Sequence, residues 1–119
     1  MNERRLTYLA APYSHPDSAV RLDRAQRISR AHARLVSDGH LVYSPICHTH
    51  SISTHSEYKI PYHWDYWQDS CRAFLSICSR ILVLRLDGWE RSIGVAAEIA
   101  IATEQGLLIE YMTEQEMHG

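Results

Sequence analysis

Glu98 is the residue whose type and setting point most directly to chemistry. It is a lone carboxylate in the run Ile93-Gly94-Val95-Ala96-Ala97-Glu98-Ile99-Ala100-Ile101-Ala102. A helix apolar on so many sides is expected to be packed on most of them. An unpaired carboxylate there is costly to bury, so it should reach a pocket or find a partner. The alternative places Glu98 on a solvent-facing strip, paired with an arginine. The loop before it, Asp87-Gly88-Trp89-Glu90-Arg91-Ser92-Ile93-Gly94, adds a second signal. Ser92 is a good N-cap, Gly94 allows a ligand close to the backbone, and a helix start favours an anion. An ordinary capped turn would read the same way. Near the other end of the chain, Tyr8-Leu9-Ala10-Ala11-Pro12-Tyr13-Ser14-His15-Pro16 puts Tyr8 inside a strand and Tyr13 and Ser14 just past it. A tyrosine near a carboxylate can orient it or donate a hydrogen bond in a transition state; strand tyrosines also serve as core residues with a polar tip.

Histidines and aromatics crowd the middle of the chain. Cys47, His48, His50, His55 and His63 raise the question of a metal, since His48 and His50 share one face of an extended segment. Neither a spaced cysteine pair nor a His-Glu-x-x-His helix accompanies them, so no metal or organic cofactor is expected. The favoured reading is a polar lid that binds a sugar or base. Tyr58, Tyr62, Trp64, Tyr66 and Trp67 can stack on a planar base or form a patch for an oligomer partner. Asp65 and Asp69, four apart, share a helix face, and either can supply an acid or simply be solvated.

The elements that must position these groups are short. Strands are expected at Leu6–Ala11, His40–Tyr43, Ile81–Leu86 and Leu107–Met112, and helices at Ser18–Ser37, Tyr66–Cys78 and Ser92–Glu104. Asp38-Gly39 and Gly106 supply stops. Alternating strands and helices predict a single α/β domain over residues 1–119, an open parallel sheet of four to five strands with helices on both faces. Ligands in such sheets sit beyond the carboxyl ends of the strands, which singles out Pro12–Asp17, the long Ser44–Pro61 segment read as a loop, and Asp87–Arg91. Pro12, Tyr13, Ser14, His48, His50, Asp87, Gly88, Trp89, Ser92 and Gly94 are therefore the candidate binding residues.

Composition narrows the partners. The chain has 119 residues, 45% hydrophobic, enough for one core, and a net charge of −2 that argues against nucleic acid. No run is long enough to span a bilayer, and the charged opening lacks a signal-peptide pattern. Three cysteines suggest reduced thiols and a cytoplasmic setting.

Taken together, Tyr8–Pro16, Ser44–His50, the aromatic segment and the block Asp87–Gly106 resemble a small bacterial and phage family of unknown function. That family is allied to the nucleoside 2-deoxyribosyltransferase-like fold, a Rossmann-like, flavodoxin-like arrangement. The resemblance covers nearly the whole chain. It implies cleavage or transfer at the N-glycosidic bond of a nucleoside or nucleoside 5′-monophosphate. Glu98 matches the glutamate that attacks the anomeric carbon, and Tyr8 matches the tyrosine that orients it. Ser92, six residues before Glu98, matches the serine that contacts a 5′-phosphate in the nucleotide-hydrolysing branch. The superfamily acid falls at Arg72 when counted back from Ile81, and Asp69, one turn earlier, is the substitute. The resemblance also favours a homo-oligomer. A non-catalytic nucleotide-binding or sensing protein on the same fold, and a histidine-dependent metal hydrolase, are the other readings.

Overall fold

The computed structural model describes residues 6–119; the charged opening read above, residues 1–5, lies outside them. Strand β1 is Leu6–Ala10, followed by helix α1 (Ser18–Ser37), β2 (Leu41–Tyr43), α2 (Pro45–Ser53), α3 (Trp64–Leu75), β3 (Arg80–Leu84), α4 (Ile93–Glu104), β4 (Leu108–Met112) and α5 (Glu114–His118). The four strands form one open sheet in the order β2-β1-β3-β4, with every pairing parallel. The chain therefore winds outward in both directions from a switch point between β1 and β3. The expected single-domain parallel α/β fold is present, at four strands.

The two inner strands read as continuous apolar runs because both of their faces are covered. Tyr8, Ala10, Ile81 and Val83 face one layer, closed by Cys71 and Leu75 of α3 and Val95, Ile101 and Ala102 of α4. Leu9, Leu82 and Leu84 face the other, closed by Ile28, Ala31 and Leu35 of α1 and Met117 of α5. Each fully buried side chain of this size contributes about 1.5–3 kcal/mol relative to exposure. Helix α1 buries Ala25, Ile28, Ala31 and Leu35 at three- and four-residue spacing, and Asp17 caps its start by accepting a hydrogen bond from the Ala19 amide at 2.9 Å.

Two departures from the sequence expectation matter for the site. The Ser44–Pro61 segment is not a long loop, because Pro45–Ser53 is helical. Ser44 caps it through the Cys47 amide at 3.2 Å, and Pro45 sits at its first position, where a missing N–H costs nothing. The second departure is in α4, which is packed along one stripe (Val95, Glu98, Ile101, Ala102) and open along Ile93, Ala96 and Ala100. Small alanines tolerate both water and contact, so their abundance overstated the burial. Glu98 lies at the centre of the buried stripe, not on the solvent-facing strip.

Candidate active site

A cavity of about 290 Å³ opens beyond the carboxyl ends of β1, β2 and β3, at the switch point of the sheet. Each of the three segments that follow these strands supplies a wall. Ala11, Tyr13 and Ser14 come after β1, Pro45, Ile46 and Thr49 after β2, and Arg91, Ser92, Ile93, Gly94 and Glu98 after β3. Tyr62, His63 and the first turns of α3 close the remaining side through Trp64, Asp65, Trp67 and Cys71.

Glu98 reaches this cavity from within the packed stripe of α4 and is only 5% exposed. The Tyr8 hydroxyl, from the fully buried centre of β1, donates a hydrogen bond to its Oε2. Burial pushes the Glu98 carboxyl up to about 8 from an ordinary 4.5, and the Tyr8 hydrogen bond opposes that rise. Tyr8 is itself raised, by burial first and by the neighbouring Glu98 charge second. Cys71, beside both, is pushed up to about 11 by burial and by Glu98, which makes it an inert thiol rather than a nucleophile.

The start of α4 forms the opposite wall. Ser92 Oγ accepts from the Val95 amide at 3.2 Å, and the Ser92 carbonyl takes the Ala96 amide at 3.1 Å. Among the described residues the amides of Ile93 and Gly94 find no acceptor, as is usual for the first turn of a helix. A Cβ added at Gly94 would meet Trp64 Cε3 at 3.6 Å and Ser92 Oγ at 3.9 Å, both ordinary contacts, so this glycine keeps the cavity open rather than relieving a clash. Arg91 adds a guanidinium to the same wall.

The arginines of α1 hold the two main loops together. Arg24 donates to the carbonyl oxygens of Ser14 at 3.1 Å and Asp87 at 3.3 Å, bridging the loops after β1 and β3. Gly88 takes a positive φ of 89° against this bridge, and a Cβ there would stand 2.9 Å from Arg24 Nη2. Arg21 lies over the Tyr62 ring, 4.1 Å from its centroid, and Ser14 Oγ donates to the Tyr62 carbonyl at 3.0 Å. The loop after β1 is thereby tied to the approach to α3.

Of the sequence candidates, the fold brings Tyr8, Tyr13, Ser14, Ser92, Gly94 and Glu98 together at or against the cavity. Pro12 is fully buried behind it, fixing the chain between Ala11 and Tyr13. Asp87, Gly88 and Trp89 frame the β3 loop without lining the cavity; Trp89 packs near Tyr111, with ring centroids 5.8 Å apart. His48 and His50 do not share a face, because residues two apart on a helix diverge by about 200°. His48 points toward Tyr43, Trp67 and Phe74, while His50 Nδ1 is 2.8 Å from the Tyr13 hydroxyl. Among the described residues, no three His, Cys, Asp or Glu side chains group to hold a metal ion.

Asp69 requires a correction of place. It is exposed and does not line the cavity, because it stands two positions from Cys71 and so on the far side of α3. Asp65, one turn earlier, is at the cavity rim. Arg72 pairs with Glu104 at 3.6 Å on the exterior. Thr49 and Arg91 fall in segments the sequence singles out but are not among its candidate binding residues, and neither is Cys71; all three line the cavity, and Arg24 is a bridge the sequence did not foresee. For Arg91 the signal was present, one residue before the Ser92 cap.

One protein-family model, described as Domain of unknown function (DUF1937), matches residues 5–114. The chain belongs to that family. The DUF1937 match takes in both Tyr8 and Glu98 and all three cavity-forming segments. No curated protein matches the chain.

Proposed function

We propose that this DUF1937 protein cleaves or transfers the N-glycosidic bond of a nucleoside or nucleoside 5′-monophosphate, through a covalent glycosyl ester on Glu98. The observation that carries the reading is a buried carboxyl, held by a strand tyrosine, at the base of a cavity with helix-start amides and an arginine in its wall. Sequence resemblance to the nucleoside 2-deoxyribosyltransferase-like proteins supports it, with Glu98 and Tyr8 at the matching positions.

In this mechanism the base stacks against the aromatic wall of Trp64 and Trp67, and an anionic 5′-group is held near Arg91 and the free amides of Ile93 and Gly94. Glu98 Oε attacks C1′ as the bond to the base nitrogen breaks, through an oxocarbenium-like state. Water or an incoming base then attacks C1′ from the face the leaving base vacated, releasing Glu98 with net retention. Tyr8 keeps Glu98 aimed and favours its ionised form, without which it is no nucleophile. The chemistry calls on no metal.

Incubation with ribo- and deoxyribonucleosides and their 5′-monophosphates, followed by chromatography, should show free base released by the native protein and none by Glu98→Ala. Intact-mass measurement on a rapidly quenched reaction should find the sugar or sugar phosphate on the peptide that contains Glu98. Release that survives Glu98→Ala sinks the proposal, and activity lost to a chelator would favour the metal hydrolase. A specific observation also favours a binding-only protein: the other carboxylate in the lining, Asp65, stands exposed. Ligand-induced thermal stabilisation without turnover would decide for that second reading.

A further inference from the structure

The glycosidic reading leaves one proton without a source. A purine or pyrimidine leaves C1′ readily only when a ring nitrogen gains a proton as the bond breaks. Asp69 faces away from the cavity, and Asp65 is exposed at its rim. A base enclosed by the cavity needs a donor inside it. Tyr13 is the candidate: it follows β1 by three residues, lines the cavity and is 5% exposed, with Ser53 and Arg21 near its hydroxyl on the side behind the lining. Its hydroxyl is 2.8 Å from His50 Nδ1, and the two rings meet edge-on with centroids 5.8 Å apart. His50 is half-buried on α2, on the side turned from His48.

The geometry points to Tyr13 as the catalytic proton donor to the leaving base, with His50 behind it as a positioning and proton-supplying residue. This rests on the glycosidic reading of the same site. In the first step the C1′–N electron pair stays on the base nitrogen, the Tyr13 hydroxyl proton moves to the base, and the His50 Nδ1 proton moves to Tyr13 Oη. The Glu98 carboxylate forms the ester to C1′, leaving a neutral base and a neutral imidazole. In the second step water attacks C1′, gives its proton to Tyr13 Oη, and Tyr13 returns its own to His50. The Glu98 carboxylate and the imidazolium are restored, so charge and protons balance over the cycle. Burial raises the Tyr13 hydroxyl against the lowering pull of the Ser53 hydrogen bond and the Arg21 guanidinium, so on balance a free tyrosinate is disfavoured.

Tyr13→Phe keeps the ring and removes only the hydroxyl. The test compares a natural nucleotide that the native protein cleaves with counterparts whose leaving group needs no proton, a 7-methylated purine nucleotide and a 4-nitrophenyl riboside 5′-phosphate. Tyr13→Phe should lose about 10²–10⁴-fold on the natural nucleotide and at least roughly tenfold less on the activated ones. His50→Gln should show a smaller split in the same direction, and it carries the test if Tyr13→Phe does not fold. Asp65→Asn should show no split. Equal losses on both substrate classes, a loss below about threefold on the natural nucleotide, or the split moving to Asp65→Asn would overturn the inference. No base release by the native protein would instead sink the glycosidic reading itself, which separates the two failures.

Discussion

Glu98 carries a cost that can be read out directly. Its carboxyl ionises near 4.5 in an unfolded chain and near 8 in the fold, because burial disfavours the charge. Across that window the native state keeps a proton that the unfolded state has released. As far as this group is concerned, stability is greatest below about 4.5, falls by at most about 1.4 kcal/mol per pH unit as pH rises, and levels off above about 8. Glu98→Gln is neutral throughout and should lack that slope. Urea midpoints of the two proteins should diverge as pH is raised through the window, with the glutamine variant ending the more stable; parallel curves would show that the ion is stabilised where it lies. On the glycosidic reading kcat/KM of the His50→Gln protein, in which no imidazolium takes part beside Glu98, should rise with pH up to about 8 as the nucleophile ionises. Tyr8→Phe in the same background removes the hydrogen bond that opposes the upward shift, so this acid limb should move to higher pH, and an unmoved limb would deny Tyr8 its electrostatic role.

At the scale of elements, the start of α4 separates folding from binding. Gly94→Ala adds a methyl with only ordinary contacts to a helix, so stability should hold or rise by about 0.5–1 kcal/mol. The methyl also narrows the approach to the free amides, so KM for a 5′-monophosphate should rise in steady-state assays, while a nucleoside lacking the phosphate should respond less. Equal response by both would remove the anion from this wall. Gly88→Ala should cost about 1–2 kcal/mol in thermal or urea unfolding, because its left-handed backbone disfavours a side chain and its Cβ would displace Arg24. These elements were unevenly legible in the sequence. The strands announced themselves because burial on both faces demands unbroken apolar runs, as at Ile81–Leu84. Glu98 stood out because its neighbours left it no polar company. Helix α2 was hidden by histidines and serines that give no apolar period, although Ser44-Pro45 carried its start signal. Thr113 and Glu116 likewise form a capping box that opens α5, unread in so short a segment. The place of Asp69 and the divergence of His48 from His50 depend on where each helix begins and how it is rolled. Composition does not encode that roll, and Arg24 bridging two loops is a contact across the fold that no local pattern records.

The whole molecule presents apolar side chains to solvent in the segments that build the cavity, Tyr66 at 59% and Ile93 at 76% exposed. We expect self-association through this side, giving by light scattering a mass that is a multiple of the 13.7 kDa chain. Paired changes Tyr66→Ser and Ile93→Ser should lower that mass, and a native protein monomeric at all concentrations would refute the expectation. No helix among the described residues is long and apolar enough to cross a membrane. The hydrogen bond between Tyr8 and Glu98 joins positions 90 residues apart, from the first strand to the last main helix. During synthesis, Tyr8 leaves the ribosome long before Glu98 has been made. β1 can pair with the short β2 early, but its other edge must wait for β3. A chain halted before residue 98 would hold the tyrosine, His48, His50 and most of the aromatic wall, yet not the buried carboxyl that they surround. On the glycosidic reading the nucleophile is thus among the last parts of the site to be made, and no chain halted before it can carry the reaction.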